Sequence, residues 1–76
     1  MNAVNRKRLN AIIERLEELK EDAEAILEEE EEKRDNTPDN LLGSAPYARR
    51  EEVCSNLDDA VSNLEEVISS IEAAME

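Results

Sequence analysis

Asn36-Thr37-Pro38-Asp39-Asn40-Leu41-Leu42-Gly43-Ser44 is the one stretch of this chain that a continuous helix cannot cross. Pro38 lacks an amide donor, clashes with a preceding helical turn and biases Thr37 toward extended backbone. Gly43 is the only glycine, and a glycine just past a helical turn favours left-handed closure. The expectation is a structured elbow. Thr37-Pro38 caps and starts a short turn with Pro38 at its first helical position, Gly43 ends the turn, and Leu41 and Leu42 cover the open end of the flanking elements. A partner-docking tip built from Pro38, Leu41, Leu42 and Tyr47 is the sharper alternative, because apolar bulk in a solvated loop calls for a cover.

On either side of the elbow the same seven-residue spacing of apolar side chains recurs. Upstream, Leu9, Leu16 and Ala23 fall at heptad position a, Ile12, Leu19 and Ile26 at d, and Ile13 and Leu27 widen the stripe at e. Downstream, Cys54, Val61, Ile68 and Met75 occupy a, Leu57, Leu64 and Ile71 occupy d, and Val53, Ala60, Val67 and Ala74 add a smaller row at g. Apolar residues at that period specify amphipathic helices. A two-stranded seam needs only a and d, whereas a third row suits a bundle. The chain therefore reads as one all-α domain, an antiparallel, coiled-coil-like two-helix hairpin. Helix 1 covers about 3–35, the connector about 36–44 and helix 2 about 45–75. Ser44 is the expected N-cap of the second helix, and Pro46 sits in a first turn that needs no amide donors.

Size bears on what such a hairpin does next. Chains of 76 residues bury only about 60% of their unfolded surface and are marginal alone. Disulfides, a structural metal or oligomerisation are the usual remedies. One Cys and no His remove the first two, since a lone thiol has no internal partner and zinc takes several Cys or His ligands. Two touching helices also leave the far side of a three-row stripe wet. Pairing of two hairpins into a four-helix-bundle homodimer is the simplest closed solution.

The net charge is −12, with 21 acidic and 9 basic side chains. Such a surface repels phosphate backbones and anionic lipid, so direct nucleic-acid or membrane binding is disfavoured, and a basic protein is the natural heterologous partner. The first residues hold no apolar run of signal-peptide length, and a lone thiol fits a reducing, cytoplasmic setting. Opposite charges are expected to meet at both ends of the hairpin: Arg6-Lys7-Arg8 near Glu72 and Glu76, and Glu28 to Glu32 near Arg49 and Arg50.

No residue set suggests chemistry. The run Glu28-Glu29-Glu30-Glu31-Glu32 lacks the irregular backbone and turn glycine of a calcium loop and reads as a solvated helix end. Di-iron bundles draw on Glu-x-x-His pairs, and there is no His. Cys54 sits near a helix N-terminus, where thiols can be activated, but it lacks a base and reads as a buried apolar residue. No cofactor, metal or catalytic residue is expected. Tyr47, the only aromatic, is expected to pack on Leu41 or Leu42.

The segments Arg6-Lys7-Arg8-Leu9, Leu16-Glu17-Glu18-Leu19 and Asp35-Asn36-Thr37-Pro38-Asp39-Asn40-Leu41 resemble small uncharacterised helical-hairpin proteins of phages, prophages and conjugative elements in Firmicutes. The Asp-Asn-x-Pro connector is the distinctive element of that likeness, and a second acidic helix follows, here Asn56-Leu57-Asp58-Asp59-Ala60 through Leu64-Glu65-Glu66-Val67-Ile68. The resemblance implies an accessory protein of a mobile element and brings no functional residues with it. The leading expectation is a non-enzymatic interaction protein. An acidic decoy that imitates DNA and occupies a basic groove is the alternative, although Arg15, Lys20, Arg49 and Arg50 interrupt its acidic faces.

Overall fold

A computed structural model describes residues 1–76. It contains helix α1 (Ala3–Asp35), a 3-10 turn (Asp39–Leu41) and helix α2 (Ala45–Met75), and no strands. The helices pack antiparallel against each other as a rod with backbone extents of 59 × 15 × 13 Å.

Each helix starts at a side-chain cap. The Asn2 side chain accepts a hydrogen bond from the Asn5 amide at 2.8 Å, satisfying one of the donors that an opening turn leaves unpaired. The Ser44 hydroxyl accepts from the Tyr47 amide at 3.3 Å and donates to the Leu41 carbonyl at 2.6 Å, so one side chain closes the elbow and opens α2. Pro46 lies in that first turn, where a missing donor costs nothing. Lys33 and Arg34 occupy the last turn of α1, complementing the negative end of its dipole.

Thr37 is the one buried polar side chain. Its hydroxyl donates to the Lys33 carbonyl at 3.3 Å and accepts from Arg50 Nη1 at 2.9 Å. Arg50 Nη1 also donates to the Lys33 carbonyl at 3.3 Å. An α2 cation thus holds the exposed carbonyl end of α1, and this latch fixes how the chain reverses. Arg50→Ala is expected to lower stability by about 1–2 kcal/mol, since charge-assisted bonds exceed neutral ones. Thr37→Val should lose a similar amount and Thr37→Ser much less, as read by thermal melts.

The elbow departs from its sequence reading in three ways. Pro38 is the residue before the 3-10 turn, in extended geometry at φ −58° and ψ 146°. Its neighbour Asp39 starts the turn instead. Gly43 does not adopt positive φ, because the Leu41 carbonyl is already taken by the Ser44 amide and hydroxyl and no left-handed residue is needed to reach it. A Cβ at Gly43 would meet nothing within 4 Å. Gly43→Ala is therefore expected to be neutral or to raise stability by about 0.4–1 kcal/mol through the unfolded chain. Leu41 and Leu42 do not cover the hairpin end; they remain 46% and 44% exposed. The Thr37–Arg50 latch occupies that position.

The intrachain seam is narrow. On α2 it buries Cys54, Val61 and Ile68 and half-buries Leu57, Leu64, Ile71 and Met75. On α1 only Ile13 is buried, with Leu9, Leu16, Ala23 and Leu27 half-buried. The α1 seam thus follows positions a and e, and not a and d, because one neighbouring helix can cover only two adjacent rows of a three-row stripe. Ile12, Leu19 and Ile26, the d row, face away from α2 and stay 43%, 57% and 50% exposed.

Charge pairing at the ends also differs from expectation. Arg6 Nε donates to the Met75 carbonyl at 3.0 Å, capping the last turn of α2 without an ion pair to Glu72 or Glu76. The glutamate run pairs within its own helix, Glu30 with Lys33 at 3.3 Å and Glu31 with Arg34 at 3.9 Å, and Arg49 pairs with Glu52 at 3.2 Å. Neighbours three residues apart on a helix reach each other at less conformational cost than long side chains from two helices. Lys20–Glu65, at 3.7 Å, is the one ion pair that bridges the helices. Because the helices run antiparallel, Lys20 beside Glu65 leaves Leu19 and Leu64 about 3 Å apart along the rod.

Candidate interaction surface

The hairpin has two unlike broad faces. In α1 the d row lies to one side of the seam. In α2 the d and g rows lie to the same side, since reversing the chain direction also reverses the sense in which side chains wind about the axis. Ile12, Leu19 and Ile26 therefore share a face with Leu57, Leu64 and Ile71, and with Val67, which is 46% exposed. Ala60 and Ala74 continue the α2 edge of that face, both exposed. Leu9, Val67, Ile71 and Ala74 line a shallow groove along α2 together with Asn63, Glu66 and Ser70, and Leu9 and Ile12 line another with Met1, Asn5 and Arg8. The result is an apolar strip along the middle of the rod, about 21 Å from Ile12 to Ile26, with Arg8 and Glu66 at its edges.

The opposite face is acidic. Glu17, Glu24 and Glu31 recur every seven residues on α1, and Glu51, Asp58, Glu65 and Glu72 do so on α2. Successive members stand about 10.5 Å apart along each axis. Lys20 reaches Glu24 at 3.9 Å as well as Glu65. Arg34 holds Asp35 at 3.1 Å and Glu31, and the hydrogen bond to Asp35 pushes the guanidinium pKa further up from its already high ordinary value. Arg15 and Arg49 project away from this face and Arg50 is engaged at the elbow. Two cations interrupt the carboxylates instead of four.

The remaining sequence candidates resolve as follows. Cys54 is buried in the seam as a free thiol, beside a groove it shares with Leu27, Arg34 and Tyr47. Tyr47 is half-buried and lines that groove on the acidic side. Pro38, Leu41 and Leu42 form an exposed apex. No three His, Cys, Asp or Glu side chains gather in a metal-holding arrangement, and no helix is long and apolar enough to cross a membrane. Sequence reading passed over Asn2, and gave Thr37 and Arg50 other roles, a cap of the elbow turn and a partner of the glutamate run, in place of the latch they form. Asn2 carried a usable signal, an N-capping residue type just before a periodic run.

These features define a class: an all-α antiparallel hairpin with one covered seam and one open apolar face. The chain matches no protein-family model, and no curated protein or solved structure resembles it significantly.

Proposed function

We propose that this chain is a non-enzymatic interaction protein that self-associates through its open apolar face into a four-helix-bundle homodimer. Its acidic faces and elbows then point outward toward other partners. The observation that carries this reading is the row Ile12, Leu19 and Ile26, roughly half exposed in a chain with only four buried apolar residues. Full burial of a Leu or Ile is worth about 1.5–3 kcal/mol, so a second hairpin on this face adds what the first seam lacks. The connector resemblance supports an accessory role on a phage or related mobile element. Sedimentation equilibrium at tens of micromolar should give twice the 8.6 kDa chain mass. A persistent single-chain mass would overturn the reading.

The second reading is the acidic decoy, favoured by the collection of the carboxylate rows on one face with only Lys20 and Arg34 among them. Mixing with a basic DNA-binding protein should then yield a complex that dissolves as salt is raised. No complex at low salt would remove it.

A further inference from the structure

The outer flank of the α1 apolar row carries one residue per heptad at position g: Arg8, Arg15, Asp22 and Glu29. Two cations precede two anions. None of the four takes part in an ion pair within the chain, and all four are exposed. We infer that this row encodes the geometry of the homodimer: α1 packs antiparallel on the partner's α1 about a twofold axis through Leu19 and Leu64, with the elbows at opposite ends.

The inference rests on self-association through the open face and adds its orientation. Face-to-face hairpins have two twofold solutions, one with the axis along the rod and one across it. With the axis along the rod, α1 lies over the partner's α2, and the charged row meets the flank Asn56, Asn63 and Ser70, which has nothing to pair with. With the axis across the rod, position g meets g in antiparallel register. Arg8 then faces Glu29 and Arg15 faces Asp22, each pair occurring twice by symmetry. The apolar rows agree. Ile12 and Ile26 are equidistant from Leu19, as Leu57 and Ile71 are from Leu64, and the Lys20–Glu65 pair leaves the two centres within about 3 Å of each other along the rod. On α2 the uncharged flank lets like meet like without repulsion. Three independent features of the chain thus share nearly one centre.

Charge-reversal variants test the orientation. Arg8→Glu/Arg15→Glu gives an all-negative row and Asp22→Lys/Glu29→Lys an all-positive one. Each is expected to weaken its own homodimer roughly tenfold or more at low salt, the summed effect of four modest pairs turned repulsive. A one-to-one mixture should form heterodimer in preference to either homodimer. The quadruple variant, with the net charge of −12 retained, should regain homodimerisation and refuse the wild-type chain. Separately, Leu19→Cys in a Cys54→Ala background should air-oxidise to a covalent dimer, because only an axis through Leu19 brings that position against itself. A wild-type dimer with indifferent charge variants and no cross-link would overturn the orientation while leaving self-association standing. A monomeric wild type would overturn both.

Discussion

Leu19→Asp is expected to weaken association sharply while leaving the intrachain seam untouched. In a lone hairpin Leu19 faces water at 57% exposure, and the substitution costs only helix propensity, about 0.5 kcal/mol. In the proposed dimer it places two carboxylates against each other in an apolar layer and removes two leucines from it. The dissociation constant should rise at least about 100-fold, the equivalent of roughly 2.7 kcal/mol. Because the single seam buries so little, much of the folding free energy of a chain this small should come from pairing. Helical signal at micromolar concentration should therefore fall with the mass and recover as the chain is concentrated. An unchanged mass would remove the open face as the interface. A monomeric variant with full helicity would show instead that the hairpin stands by itself.

That contrast marks how far the sequence could be read. Heptad spacing on both sides of Pro38 was enough for an antiparallel hairpin, since apolar period and a breaker are local signals. The choice of seam within each stripe was not. Ile13 and Ile12 are adjacent, equally apolar and both inside the stripe, and only the crossing of α2 decides that one is buried and the other exposed. The same holds for charge. Position in the chain suggested that Arg49 and Arg50 would neutralise the glutamate run, yet Arg50 caps a carbonyl and the glutamates pair within α1. Long side chains have several partners within reach, and composition does not rank them. Gly43 differs for another reason: glycine permits positive φ, but Ser44, the next residue, already binds the Leu41 carbonyl through its amide and hydroxyl, and Gly43 stays at negative φ. The acidic face became visible only once the faces were assigned, since Arg15 and Arg49 interrupt the sequence without interrupting the surface.

Val61→Asp should fail in a different way from Leu19→Asp, and the comparison separates the two surfaces. Val61 is 7% exposed at the middle of the intrachain seam, flanked along α2 by the buried Cys54 and Ile68. No basic side chain of the seam is free to meet a carboxylate there, since Lys20 is engaged by Glu24 and Glu65 on the acidic side. Burying an unpaired carboxylate and losing the valine should cost about 4 kcal/mol or more, a large share of the stability of any small domain. The expected result is loss of helical signal at every protein concentration, with no recovery at the high concentrations that rescue Leu19→Asp. Circular dichroism across a hundredfold dilution series distinguishes the two. If concentration restored Val61→Asp as well, the seam and the open face would have been assigned the wrong way round. The exposed d row would then be what holds the hairpin together.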